Sequence, residues 1–351
     1  MTNQLKHIAY RFLPRLGILV LMMALFNVVY KQFVWPNDLD EHASLLTMLH
    51  ENQHRSDVLY FAESSNFTTH IDDSLKLRIS DFIDLYCEED SIDVRPVEHA
   101  GYHVGQYVPV IAQIDPESPV QTVVVTMNLR TFGQDVIYGP NEASLQKATR
   151  LAQPGLPLVN RVLTTLNFYD NRSAHERDLL KWKSWIKDSL ISDTDSVTFP
   201  YPTIRTWCEV PKFPDSSGIE NMPYRILADQ NIKVYGFHLD ESNPMVKSFD
   251  QIITIGKEKN LNLIFNILAE NVDQADSLLG NNLVWLMRRN RDFLVDRYHN
   301  KGAIVVDNLE AVANQHFTDR RVFPTEHYDQ TGRSIIAMNV AQAIKELHSK
   351  K

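Results

Sequence analysis

VLYFAESS, residues 58 to 65, sets five apolar residues in a row and then turns abruptly to Glu63, Ser64 and Ser65. Short apolar runs bounded by polar residues mark strands buried on both faces, the kind found in parallel sheets. Outward from it the same signal recurs at 92–97, more weakly, then as TVVVTM at 122–127, NLIFNIL at 262–268 and AIVV at 303–306. Helical spacings lie between these runs. Leu75, Ile79, Phe82 and Ile83 predict a helix over 72–86, and an apolar-spaced stretch covers 104–114. Leu283, Leu286, Met287, Leu294 and Tyr298 line another helix, which Gly302 can end in a left-handed cap. Ile336, Val340, Ile344 and Leu347 share one face of a closing helix. Strands and helices in alternation predict a three-layer α/β/α domain around a five-stranded parallel sheet, flavodoxin-like in its expected order 2-1-3-4-5.

The rhythm breaks between residues 152 and 245, where an amphipathic stretch over 177–190 is mixed with turn-rich pieces such as PKFPDSSG. So long a departure reads as an insertion, irregular and partly helical, because structureless loops of that size are rare in compact domains. It is placed to cap the site or to meet a partner.

At 351 residues, 44% of them hydrophobic, the chain can bury a large core without disulfide or metal staples. A net charge of −9 argues against a dedicated nucleic-acid binder, which needs clustered positive charge. LGILVLMMALFNVVY at 16–30 stands apart from that average. Extended through Trp35 as a helix it covers roughly 30 Å, the depth of a bilayer's hydrocarbon. Lys6, Arg11 and Arg15 precede it, and Asp38, Asp40 and Glu41 follow. The expectation is a cytoplasmic N-terminus over 1–15, a transmembrane signal anchor over 16–35, a linking helix over 36–56 and an outward-facing domain over 57–351. NVVYKQFVW offers no small-x-small cleavage pattern, which favours an uncleaved anchor over a signal peptide. In such a compartment Cys87 and Cys208 are chemically free to pair, though two cysteines alone do not establish a bond. No CxxC motif or Cys/His cluster suggests a metal, and no organic cofactor is implied.

In open parallel sheets chemistry gathers at the carboxyl edge of the strands. The first strand ends at Ser64 and the third at Asn128, neighbours in the expected order. The long segment after the fifth strand returns His327 to the same edge. A serine hydroxyl needs a base to become a nucleophile, and an imidazole suits the task. The N–H of Ser64, the Asn128 amide and a close-approaching Gly105 N–H, with Gly101 as its rival, are candidates for an oxyanion hole. Arg130 stands where it would meet an anionic substrate group. Taken singly, Ser64 is an ordinary helix cap, Asn128 a turn residue and Asp329 a cap for the closing helix. The sequons at Asn66 and Asn171 are short enough to arise by chance.

These residues resemble the SGNH (GDSL-like) hydrolases and acyltransferases. VLYFAESSN is similar to that family's VLFIGDSLT block with Ser64 at the nucleophile, TVVVTMNL to the block ending in GxND with Asn128 at the asparagine, and EHYDQTGRSIIAMNVAQAI to the HLNxxGxxxxA block with His327 at the base and Gly332 at the helix entry. The likeness spans most of 57–349 apart from the insertion. Ala62 and Glu63 replace the first block's Gly and Asp, Thr126 and Leu129 flank Asn128 in place of Gly and Asp, and Pro324 stands where the orienting aspartate is usual. The acid's role is assigned to Glu326, with Asp319, or a Ser64/His327 dyad without an acid, as alternatives.

The resemblance implies acyl transfer through an acyl-serine, discharged to water or to a sugar hydroxyl. The single anchor with an outward domain is similar to proteins that work beside polytopic membrane acyltransferases on cell-surface polysaccharide, in teichoic-acid D-alanylation or alginate acetylation. The expectation is O-acetylation or deacetylation of such a polymer at a bacterial cytoplasmic membrane. A noncatalytic accessory protein that keeps the fold and assembles with a polytopic partner is the alternative.

Overall fold

The computed structural model describes residues 3–139, 142–166, 172–187, 190, 200–318 and 323–349. Strands β1 (Val58–Ala62), β2 (Val94–Glu98), β3 (Thr122–Met127), β4 (Asn262–Ile267) and β5 (Ile304–Asp307) form one sheet in the order β2-β1-β3-β4-β5. Every neighbouring pair is parallel, and Phe61 lies opposite Val125, which lies opposite Phe265. The ends of β1 and β3 are therefore level, as the expected order requires.

Three helices lead into the sheet: α1 (Asn3–Phe33), α2 (Trp35–His42) and α3 (Ser44–Asn52). The turn α4 (Ser64–Phe67) and helix α5 (Ile79–Cys87) separate β1 from β2, and α6 (Val104–Ile111) separates β2 from β3. Between β3 and β4 come α7 (Gln134–Ile137), α8 (Glu142–Ala152), α9 (Pro157–Thr165), α10 (Ala174–Lys187), α11 (Ile204–Cys208), α12 (Met222–Tyr235) and α13 (Pro244–Lys259). Then α14 (Val272–Leu279) and α15 (Asn281–Asn300) precede β5, and α16 (Gln330–His348) closes the chain.

Alternation along the strands divides the core. Val58, Tyr60 and Val124 point into a layer with Phe82 and Ile83 of α5 and Ile336, Val340 and Ile344 of α16. Leu59, Phe61, Val123 and Val125 point the other way, against α3, α6, α13 and α15. The α15 helix ends as its sequence predicts, with Gly302 in the left-handed region at φ 90°.

Several expectations are corrected. The 36–56 stretch is two helices rather than one linker, broken at Ala43, and Leu45, Leu46 and Leu49 of α3 are fully part of the core. The insertion is partly helical as expected, with α9 to α12 among its described residues. The helix expected over 72–86 starts only at Ile79. Upstream, the chain is held open by Arg333 of α16, whose buried guanidinium donates to Leu77 O at 2.9 Å, Tyr328 O at 2.7 Å and the Asp73 carboxylate at 2.7 Å. Burial pushes the Asp73 carboxyl up, but Arg333 and the N–H groups of Gln330 and His70 outweigh it and hold it low. Cys87 and Cys208 are both free thiols. Cys87 is buried under α16, and that burial pushes its thiol up to about 11.

Among the described residues one helical stretch, the 22 residues Phe12–Phe33 of α1, is long and apolar enough to cross a membrane. Every side chain from Phe12 to Phe26 is exposed.

Candidate active site

At the end of β1 the backbone stays extended through Glu63 and then winds into the single turn of α4. Thr68 closes that turn, its N–H and hydroxyl donating to Ser64 O at 3.0 and 2.8 Å. Ser64 is left half-exposed at the carboxyl edge, and as the first residue of the turn its own N–H has no helical acceptor. His327 arrives from the opposite end of the sequence in an extended segment before α16. Thr318 N–H donates to His327 O and Asp329 N–H to His316 O, both at 2.9 Å, which pins the segment. Its imidazole Nε2 then lies 3.1 Å from Ser64 Oγ. Asp329 caps α16 as expected, accepting the Gly332 N–H at 3.0 Å. A Cβ on Gly332 would come within 2.8 Å of Tyr328 Cβ, so only glycine lets the helix start so close to the base.

Glu63 ties the turn that carries Ser64 to β3. Its buried carboxylate accepts Thr126 Oγ1 at 2.6 Å, Ser65 Oγ at 3.2 Å and Asn128 Nδ2 at 3.3 Å. Burial, and then the charge of Glu326, push the Glu63 carboxyl up, against the lowering effect of those donors. Asn128 is thereby held at the end of β3, the strand adjacent to the one that Ser64 follows. Its Oδ1 accepts the Arg130 N–H at 3.0 Å, and one Nδ2 hydrogen remains beyond the bond to Glu63.

The other assignments fare differently. Glu326 is fully buried and turns to Arg130, whose guanidinium donates to its Oε1 at 2.5 Å. In an extended segment neighbouring side chains leave on opposite sides, so the residue beside His327 does not reach its imidazole. Arg130 is likewise committed to Glu326 and lies 5.6 Å from the Phe323 ring centroid, rather than standing open to an anionic substrate. Asp319 lies outside the described residues, as does Asn171. Gly105 does not offer a free N–H for an oxyanion. It sits second in α6, and its N–H donates to the capping His103 Nδ1 at 3.2 Å. It lines instead a cleft of about 520 Å³ with Gln146, Arg150 and Met245. Gly101, at φ 73°, makes the left-handed turn between β2 and α6. Asn66 is fully buried, its amide donating to Ser80 Oγ at 3.0 Å and also to Glu98, so this sequon offers no modifiable side chain.

One further polar residue at this edge escaped the sequence reading. Glu270, just beyond β4, is buried and accepts the Tyr235 hydroxyl at 2.5 Å, while its other carboxylate oxygen has no hydrogen bond. Burial, then repulsion from Glu326, push its carboxyl up to about 8. Nothing local in the sequence marks it, because its partner Tyr235 lies 35 residues upstream.

No protein-family model matches the chain, and no curated protein sequence does. Among solved structures it is similar to a lipase/acylhydrolase from Enterococcus faecalis, at 9% identity and a TM-score of 0.36 over 82% of this chain and 95% of that one. It is also similar to a GDSL-like lipase from Bacteroides thetaiotaomicron, at 9% and 0.35 over 90% and 98%. The acetylxylan esterase Axe2 from Geobacillus stearothermophilus matches at 9% and 0.36 over 83% and 94%. Likeness at this level carries no argument about chemistry, which rests on the geometry above.

Proposed function

We propose that the chain is a serine esterase or O-acyltransferase of the SGNH type. The observation that carries this reading is the 3.1 Å approach of His327 Nε2 to Ser64 Oγ at the sheet's carboxyl edge. In the proposed cycle Ser64 Oγ attacks the ester carbonyl while its proton passes to His327 Nε2. The tetrahedral oxyanion takes the Ser64 N–H and the second Nδ2 hydrogen of Asn128. His327 returns its proton to the departing alcohol, leaving an acyl-serine. Water or a sugar hydroxyl then attacks, His327 accepting and returning a proton in turn, and Ser64 is restored.

The proposal extends to a signal anchor at Phe12–Phe33, supported by the helix's length, its exposed apolar sides and the cations that precede it. Hydrolysis or transfer of acetyl on a cell-surface polysaccharide, beside a polytopic acyltransferase, follows from the family resemblance of layout.

The test compares the native chain with Ser64→Ala on an activated acetyl ester, alongside labelling by a serine-directed phosphonate. Turnover should fall at least about 10³-fold and labelling should vanish in the variant. Native protein that is folded yet neither turns over nor labels at Ser64 would overturn the enzyme reading. Acylated product on an added polysaccharide acceptor would separate transfer from hydrolysis.

A further inference from the structure

We infer that α9 is a membrane-embedded element, seated in the outer acyl layer beside α1, so that the domain rests on the lipid surface through its insertion. The inference rests on reading Phe12–Phe33 as the anchor.

Helix α9 packs along α1, and its placement fixes a depth. The stripe of α1 and α2 that is covered consists of Asn27, Tyr30, Trp35, Asp38, Leu39 and His42, while every residue from Phe12 to Phe26 stays uncovered. Asn27 lies six residues inside the outer end of the span, which is about 9 Å below it at helical rise. The N–H of Leu158 donates to Asn27 Oδ1 at 3.0 Å. The first turn of α9 therefore meets the anchor inside the hydrocarbon, at the depth where interfacial helices lie.

Two features of α9 suit lipid and not water. Its polarity is inverted: Asn160 and Thr164 are buried, while Leu156, Val162 and Leu166 are 58%, 47% and 62% exposed. Its first turn also leaves no amide for water. Pro157 has no N–H, Leu158 uses Asn27, and Val159 and Asn160 donate to Leu156 O at 2.9 and 3.2 Å. Thr164 and Thr165 return their hydroxyls to the carbonyls of Asn160 and Arg161 at 2.8 and 2.9 Å. Backbone satisfied from within is what hydrocarbon demands. The one charged residue of the helix, Arg161, reaches along α1 to Asp38, 3.2 Å away and beyond the span's outer end, the path of a snorkelling side chain.

The test places nitroxide labels in the full-length chain in nanodiscs holding one copy each, using Leu19→Cys, Ile71→Cys, Val162→Cys and Leu166→Cys in a Cys208→Ser background; Cys87 is buried and stays unlabelled. Collision with dissolved oxygen and with a water-soluble nickel chelate is measured at each site. Val162 and Leu166 should shift toward oxygen and lose nickel access several-fold relative to Ile71, which lies 86% exposed on the domain. Lipid exposure at Leu19 with Ile71-like nickel access at Val162 and Leu166 would overturn the inference and leave the anchor standing. Nickel access at Leu19 as well would overturn both. Protection at Val162 that appears only with several copies per disc would assign the face to a second chain and overturn the lipid assignment.

Discussion

Glu63 and Glu326 each stand next in sequence to a member of the Ser64–His327 pair, and both are buried, yet they are solved in opposite ways. Glu63 is surrounded by neutral donors, Thr126, Ser65 and Asn128, and binds the end of β1 to the end of β3. Glu326 is met by one cation, Arg130, and its second carboxylate oxygen has no hydrogen bond. A carboxylate held by hydroxyls and an amide positions its neighbours. A carboxylate held by a guanidinium mainly cancels charge. Adjacency to the nucleophile or the base thus does not tell which task an acid performs.

The difference is easiest to break at Glu326. Glu326→Ala leaves the Arg130 charge buried without its partner and should cost about 3–5 kcal/mol of stability by urea unfolding. Removing both charges together, Arg130→Met with Glu326→Leu, should recover most of that loss. A double variant no more stable than Glu326→Ala would show that the pair does more than neutralise itself.

Glu63 should respond in kinetics as well as stability. Glu63→Ala strands three buried donors at a cost on the order of 2 kcal/mol. It also frees Asn128 to turn, so kcat should fall with little change in KM. Glu63→Gln, which keeps an acceptor, should restore much of kcat; equal loss in both variants would mean that the charge, not the positioning, matters.

Glu270 sharpens the comparison by a smaller amount and through pH. Its folded carboxyl is raised to about 8 by burial and by Glu326. The unfolded chain ionises near the ordinary glutamate value, so stability is full below that value and is lost as pH rises toward 8. Glu270→Gln removes this loss, keeping an oxygen for the Tyr235 hydroxyl. Its stability by urea unfolding should exceed that of the native chain at pH 8, and the gap should close at pH 4. A gap independent of pH would assign the effect to packing.

The sheet was legible because its strands carry their own signal: the five apolar residues from Val58 and the β-branched run from Thr122 are buried on both faces wherever they pair. Ser64, Asn128 and His327 were legible as residues that follow strands or precede a helix in the right order. Helix α5 was misjudged at its start because Leu75 continues the spacing of Ile79 and Ile83, yet the chain there serves Arg333 instead. Gly105 was misplaced because a glycine after a strand looks like a close approach to the site, whereas a local cap at His103 had claimed it. Glu270 and the Arg130–Glu326 pair left no local trace, since their partners lie 35 and 196 residues away.

Arg333 has a consequence for timing. During synthesis His327 emerges 263 residues after Ser64. The guanidinium that grips both Tyr328, beside His327, and the loop behind Ser64 through Asp73 and Leu77 belongs to α16 and comes later still. Until that last helix has docked, the serine and the histidine are strangers on a growing chain. The Ser64–His327 contact is assembled only once α16 is in place, so a nascent polypeptide that lacks it carries the serine without the histidine beside it.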